Sequence, residues 1–301
     1  MSTATVSTSL SNTKVTASQA AYLSTSVSAS ASNDAGWRCH GTLWSNLHEV
    51  CDLLGIATPS ASDDEQVLFQ HVRYKAGQRI HTIGQNFDTL YIVNSGFLKT
   101  VLIDEYGNEQ VLSFPMKGDL LGIDGIHTQR HASEAVALSD CDVILVPYTI
   151  FSSLGRLYAE LEQAMFRAMS RELVREQIMI GMLSALSAEA KVARFLLNLG
   201  DRFAQLGYSN KLFNLRMTRH EIGSYLGLTL ETVSRTLSAF NELGLIRVEQ
   251  RQIGILDPVA LKTLRRLPPA KTRLKVGEKV TALVGKSLLP QWSKEVAVAL
   301  N

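Results

Sequence analysis

The sequence predicts an α+β chain of three parts in order: an N-terminal antiparallel β-roll, a long dimerisation helix and a C-terminal winged helix-turn-helix. Three observations predict it. From about Phe69 to Val146, short β-type runs are separated by Gly, Asp and Asn. After Pro147 the apolar spacing becomes that of a helix, and from Met217 to Ile246 two capped helical segments flank a turn glycine. The divisions that follow are 1–35, a Ser/Thr/Ala-rich tail; 36–150, the roll; 151–188, the dimerisation helix; 189–267, the winged helix-turn-helix; and 268–301, a basic tail.

The first 35 residues carry almost no large apolar side chains, so they bury too little surface to offset their ordering entropy and are expected to be disordered. In the roll, "TLYIVNSGFLKTVLIDEYGNEQVLSF" shows Leu90, Ile92 and Leu98 alternating with polar neighbours. "EYGNEQ" is a hairpin turn in which Gly107 and Asn108 tolerate positive φ. Gly118, Gly122 and Gly125 mark further tight turns. Regularly spaced strands with such turns predict a small antiparallel barrel or roll.

In the helical part, Met165, Met169, Glu172, Glu176, Met179, Leu183 and Leu186 recur at spacings of four and three, which predicts a coiled-coil seam carrying two carboxylates. In a parallel dimer Glu172 and Glu176 would face their own copies and oppose association; a solvated face is the alternative. A second stripe, Phe166, Leu173 and Ile180, is expected to pack on the roll.

"MTRHEIGSYLGLTLETVSRTLSAFNELGLI" reads as a helix-turn-helix. Thr218 and Glu221 form a capping box, Gly227 suits the left-handed exit from the first helix, and Thr229 caps the second, with Thr232 in its first turn. Val233, Leu237 and Phe240 bury one face of the second helix, leaving Glu231, Ser234 and Arg235 near its start. Arg can donate twice to guanine, Glu can accept from cytosine N4, and Ser can bond base or phosphate. "LIRVEQRQIGILD" reads as a wing. Thr218, Arg219, Thr229, Thr232, Arg247 and Arg251 are the candidate contacts to the DNA backbone.

Charge agrees with this division. Lys191–Arg266 holds twelve basic and six acidic residues, a net of +6, leaving −4 on the remainder of the chain. A basic segment beside an acidic one is the footprint of a nucleic-acid module attached to something else. Cys39, Cys51 and Cys141 are too few for a disulfide framework and fit a reducing cytoplasm. No apolar run is long enough for a membrane span, and the N-terminus has no secretory h-region. No nucleophile–base set, phosphate loop or metal-spaced His/Glu pair points to an enzyme.

A roll, a long helix and a winged helix-turn-helix in this order resemble the CRP/FNR family of bacterial transcription regulators, over about Trp44–Leu267. "RFAQLGYS", "MTRHEIGSYLGLTLETVSR" and "GNEQVLSF" resemble the FNR branch. The resemblance implies a jelly roll of the cyclic-nucleotide-binding type and a homodimer on a palindrome of half-sites resembling TTGAT, read by Glu231, Ser234 and Arg235. It also implies contact with RNA polymerase through the turn at Gly107 and Asn108, for which a plain solvent turn is the alternative.

The departures from the family pattern concern what the roll senses. Ile123 stands where cyclic-AMP-binding members have Glu, and Ala132 and Ser133 stand at their Arg-Ser positions, which argues against a cyclic nucleotide. The FNR branch holds an iron-sulfur cluster on four cysteines. Here the resemblance places Thr42 and Ser45 at the first two thiol positions and Ile144 at the last, keeping only Cys51. Hydroxyls are poor substitutes for thiolates on iron. The expectation is a regulator without cluster, haem or cyclic AMP. Three readings of Cys51 stay open: a small buried residue, a redox thiol, or part of a metal site. The runner-up function is therefore a redox-, oxygen- or haem-sensing regulator with a non-standard site on Cys39, Cys51 and Cys141, with His40 or His48. The expected partners are double-stranded DNA, RNA polymerase and a second copy of the chain, with no membrane.

Overall fold

The computed structural model describes residues 43–56 and 67–264. The tails at 1–35 and 268–301, with Cys39, His40, Thr42, Arg265 and Arg266, lie outside the described residues. β1 (Trp44–Asn46) leads directly into α1 (Leu47–Leu54). The roll continues through β2 (Leu68–Tyr74), β3 (Arg79–His81), β4 (Thr89–Ser95), β5 (Leu98–Ile103), β6 (Glu109–Ser113), β7 (Leu120–Leu121), β8 (Glu134–Ala137) and β9 (Cys141–Pro147). Then come α2 (Tyr148–Leu157), α3 (Ala159–Ala185), α4 (Ala188–Gln205), β10 (Leu212–Asn214), α5 (Arg219–Leu226), α6 (Leu230–Glu242), β11 (Ile246–Glu249), β12 (Gln252–Ile255) and α7 (Pro258–Thr263). No helix among the described residues is long and apolar enough to cross a membrane.

The roll is two antiparallel sheets, ordered β1-β2-β9-β4-β7 and β3-β8-β5-β6. Its central strands are buried on both faces rather than alternating with polar neighbours. Tyr91, Val93 and Val143 face the roll interior with Ile80, Leu98 and Ala135. Leu90, Ile92, Ile144 and Val146 face outward, under Leu47, Val50 and Cys51 of α1, Phe151 and Leu154 of α2, and Leu161 and Ala164 of α3. Three helices thus cover the outer face, which explains why β4 reads as a nearly continuous apolar run. Gly118 and Gly122 take the positive φ expected of them, whereas Gly125 is needed for space: a Cβ there would sit 2.8 Å from the Phe87 ring. At the hairpin only Gly107, at φ 82°, uses the left-handed region; Asn108 does not.

The helical part departs from the expected single element over 151–188. Tyr158, with φ −123°, breaks it into α2 and α3, so the long helix begins at Ala159. The corner lets Leu154 before it and Leu161 after it reach the same core.

The second stripe expected on the long helix lies on a different face from the one expected. Leu161 and Ala164 must face the roll, and the 3.6-residue period carries that face on to Ala168, Glu172, Arg175 and Met182. The expected stripe straddles the boundary between this face and the outer one. Met165 packs partly on the roll core, and Glu172 bonds Arg175 at 3.2 Å on its own chain. Phe166, Leu173 and Ile180, expected against the roll, are instead 62, 58 and 67 % exposed. Together with Met169, Glu176 and Leu183 they form an outward stripe with unbroken three–four spacing.

The third core joins the roll to the C-terminal domain. Val101, Val111, Phe114 and Met116 of the roll pack with Phe195 and Leu199 of α4, Ile222 and Leu226 of α5, and Val233, Leu237 and Phe240 of α6. Asp119, just before β7, ties the same junction, pairing with Arg175 of α3 and Arg202 of α4.

Inside the roll, His81 and His131 stack with ring centroids 4.0 Å apart, beside Tyr91. His81 Nδ1 lies 3.1 Å from the Ser133 carbonyl, while its Nε2 and both ring nitrogens of His131 lack a hydrogen-bond partner among the described residues. Burial, reinforced by the neighbouring His131 ring, pushes the His81 pKa from 6.5 down to about 4. Between those values the unfolded chain binds a proton at this position that the folded chain does not. Stability is therefore lost as pH falls through that window, by up to about 3 kcal/mol. Urea denaturation across the window should show this loss in the wild type and a clearly flatter profile in His81→Phe; equal slopes would remove His81 as the source.

Candidate nucleic-acid interface

The helix-turn-helix is built by local hydrogen bonds that its sequence specifies. The Thr218 hydroxyl accepts from the Glu221 N–H at 3.2 Å, and the Glu221 carboxylate accepts from the Thr218 N–H at 2.7 Å. α5 ends at Gly227 with φ 62°, the left-handed cap its spacing predicts. Gly223 is a requirement the spacing does not reveal: a Cβ there would sit 2.6 Å from the Leu228 carbonyl oxygen. The turn folds back on the helix only because that position has no side chain.

α6 is capped by Thr229, whose hydroxyl accepts from the Thr232 N–H at 3.2 Å. Val233, Leu237 and Phe240 are at most 2 % exposed, which fixes the rotation of the helix. Glu231 and Arg235 are left exposed one turn apart, with Ser234 half-buried between them. Arg235 Nη2 donates to the Thr232 hydroxyl at 3.4 Å, which directs the guanidinium toward the start of the helix. Bonds from its own backbone N–H and from the Thr229 hydroxyl hold the Glu231 carboxyl below the usual carboxylate range, so it is an acceptor at neutral pH. A donor fork and an acceptor thus lie together at the N-terminal end of one exposed helix.

The candidate backbone contacts are less uniform. Thr218 is exposed and Arg219 half-buried. The Thr229 and Thr232 hydroxyls lie 3.1 Å apart and serve the cap. The wing is a three-stranded sheet ordered β10-β12-β11, turning at Gln250 with φ 53°. On it Arg247 is exposed but paired with Glu249 at 2.6 Å, and Arg251 reaches the Arg216 carbonyl at 3.4 Å. The hairpin turn at Gly107 and Asn108 is fixed by Asp104, whose carboxylate accepts from the N–H groups of Tyr106 and Asn108 and from the Asn108 amide, all within 2.9 Å.

The roll's residues do not fit the cofactors of the wider fold. Two consecutive N–H groups, of Ala132 and Ser133, and the Ser133 hydroxyl form an anion-binding nest, and all three donate to Asp124 Oδ2 at 3.1, 2.8 and 2.7 Å. Burial opposes ionisation of Asp124, but the His131 ring, whose Nδ1 lies 3.7 Å from Oδ1, and the bonds from Ser133 outweigh it and hold the carboxyl at about 2. The chain's own carboxylate therefore fills the nest, and a nucleotide phosphate would meet like charge there.

A cluster does not fit the described donors either. Ser45 Oγ lies 2.7 Å from His71 Nε2, and His71 Nδ1 lies 3.0 Å from both carboxylate oxygens of Asp142. Cys51 is fully buried, and burial pushes its thiol up to about 11. Cys141 lies in the interior core, on the opposite face of the sheet from Cys51. Of the three thiols named in the runner-up metal site, Cys39 lies outside the described residues and Cys51 and Cys141 lie on opposite sides of the sheet; the described residues hold no group of three or more His, Cys, Asp or Glu fit for a metal.

Comparison with known proteins agrees with the architecture. A cyclic nucleotide-binding domain profile matches residues 71–157, and a Crp-like helix-turn-helix domain profile matches residues 190–264. The chain is 39 % identical over 218 residues to the Transcriptional regulatory protein btr of Bordetella pertussis, covering 72 % of this chain and 90 % of that protein. It is 39 % identical over 219 residues to the Fumarate and nitrate reduction regulatory protein of Vibrio cholerae, covering 73 % and 88 %. Among solved structures, FixK2 from Bradyrhizobium japonicum superposes with a TM-score of 0.61 at 25 % identity, over 67 % of this chain and all of that one. With a capped helix-turn-helix, a roll ahead of it and relatives alike over most of their length, the chain belongs to the CRP/FNR family of DNA-binding transcription regulators.

Proposed function

We propose that the chain works as a homodimer, reads a palindrome of TTGAT-type half-sites, contacts RNA polymerase and uses neither an iron-sulfur cluster nor cyclic AMP. The observation that carries the reading is the exposed start of α6, where Glu231, Ser234 and Arg235 present a donor fork and acceptors matched to base edges. The wing arginines and the threonines at the two helix starts supply phosphate contacts. The turn at Gly107 and Asn108 is exposed and internally fixed, which suits a polymerase-contacting surface.

The dimer seam we propose is the outward stripe Phe166, Met169, Leu173, Glu176, Ile180 and Leu183. These six residues span about 26 Å of helix. Of the two carboxylates expected in the seam, only Glu176 remains. It faces its own copy in a parallel pair, and that repulsion weakens association.

Two measurements test this reading. Arg235→Ala should weaken binding to the TTGAT palindrome by about 1–3 kcal/mol, about 5- to 150-fold, while binding to scrambled DNA changes little. Equal wild-type binding to both DNAs would sink the proposal. By sedimentation equilibrium, Glu176→Leu should tighten the dimer and Leu173→Glu should loosen it, each by at least about fivefold. Footprinting with and without oxygen, with metal measured on the same sample, decides the cofactor question: oxygen-dependent protection would overturn the cluster-free reading.

A further inference from the structure

β6 is the open edge of its sheet, where alternate backbone groups lack a strand partner. One side chain of the helix-turn-helix supplies that partner. The Val111 N–H donates to Ser224 Oγ at 2.9 Å, and the Ser224 hydroxyl donates to the Glu109 carbonyl at 3.0 Å. The Gln110 side-chain amide donates to the Ser224 carbonyl. Beside this contact Lys99 of β5 bonds Glu109 at 2.7 Å and Glu221 at 3.2 Å, with both the Lys99 and Glu221 side chains largely buried. Glu221 uses Oε1 for Lys99 and Oε2 for the α5 cap, so one carboxylate joins the helix start to the roll.

The contact is directional in a way that apolar packing is not. Phe114 and Tyr225 meet at 5.2 Å, an aromatic contact that tolerates small rotations. Ser224 must meet a donor and an acceptor on one strand at once, which selects one orientation of α5 on the sheet edge. α6 follows α5 rigidly, because Gly227 closes the turn and Ile222 shares a core with Val233 and Leu237. Ser224 itself is turned toward the roll and is not among the base-reading residues.

We infer that Ser224, supported by the Lys99–Glu221 pair, is a positioning clamp that fixes the reading helix relative to the roll and thereby sets which half-site spacing the dimer accepts. The inference rests on the proposed binding of a homodimer to a palindrome. Each base pair added at the centre of a palindrome moves one half-site by about 3.4 Å and turns it by about 34°. A clamped domain cannot follow that displacement; a loosened one follows it in part.

The test uses the full chain and palindromes whose centres are lengthened or shortened by one and two base pairs, with scrambled half-sites as control. The wild type should bind one spacing well and lose affinity steeply away from it. Ser224→Ala and Lys99→Met should each shrink the ratio between the best and the altered spacings by at least about threefold, the effect of about one hydrogen bond. Preference for the half-site bases should not change. Ser224→Thr, which keeps the hydroxyl, should restore the wild-type ratio, a rescue that general destabilisation does not produce. If Ser224→Ala does not fold, Lys99→Met carries the decision. Ratios as sharp as the wild type in the folded variants, or Ser224→Thr as loose as Ser224→Ala, overturn the clamp. Wild-type binding to scrambled half-sites, or to one half-site as tightly as to two, would instead overturn the palindrome reading on which the clamp rests.

Discussion

A single carboxylate holds the three parts of this chain in register. Asp119 leaves the roll just before β7, accepts a bond from the Met116 N–H at 3.0 Å, and pairs with Arg175 of the long helix and Arg202 of the DNA-binding domain. Its side chain is 11 % exposed, so screening by solvent is limited. Arg175 is 38 % and Arg202 24 % exposed, so solvent screens each pair in part, and losing one arginine costs less than the loss of a partner in a fully buried pair. Arg202 also donates to the Phe114 carbonyl at 2.9 Å, which ties α4 to the end of β6. Gly118, immediately before, comes close to the end of α1: a Cβ there would lie 3.0 Å from the Leu53 carbonyl oxygen. Roll, N-terminal helix, long helix and DNA-binding domain therefore meet within a few residues of Asp119.

That junction explains which parts of the structure the sequence reveals. The Thr218–Glu221 capping box, the Thr229 cap, the Gly227 exit and the buried stripe of α6 follow from residues close in sequence, and the structure contains them as the spacing predicts. The hairpin at Gly107 is legible for the same reason. The face of α3 is not local. Its rotation is set by Leu161 and Ala164, which must cover strands laid down far earlier in the chain, and by Arg175 reaching back to Asp119. A stripe read from spacing alone falls between the inner and outer faces, since methionines and glutamates occur on both. The contacts by which Ser224 and Lys99 join the two domains carry no sequence signal, because Ser224 meets Val111 and Lys99 meets Glu221, each more than 110 residues away in the chain.

The roll keeps the architecture of a ligand-binding domain while satisfying its polar groups internally. Asp124 fills the anion nest, and a chain from Ser45 through His71 to Asp142, extended by the Asn94 amide at 3.0 Å, pins β1 to the sheet. These bonds hold β1 against the sheet. Cys51, whose meaning was open at the sequence level, lies fully buried with Leu47 and Val50 in the apolar contact that completes the attachment. Burial raises its pKa to about 11, and it packs as a small apolar side chain in this core.

The two faces of α3 now have separate tasks. Its inner face is committed to the chain itself, through Leu161, Ala164 and the Asp119 junction, and cannot be recruited by a partner without dismantling the domain arrangement. Its outer face leaves Phe166, Leu173 and Ile180 more than half exposed, an apolar stripe that a lone chain gains nothing by displaying. Because the helix that carries this stripe is also fixed to α4 through Arg175, Asp119 and Arg202, any pairing of stripes places the two DNA-binding domains in a defined relation. In the proposed dimer, its geometry and the presentation of α6 would then be set by the same helix. The tightness of that proposed pair would rest on the contest between five apolar side chains and Glu176, a balance that one residue controls.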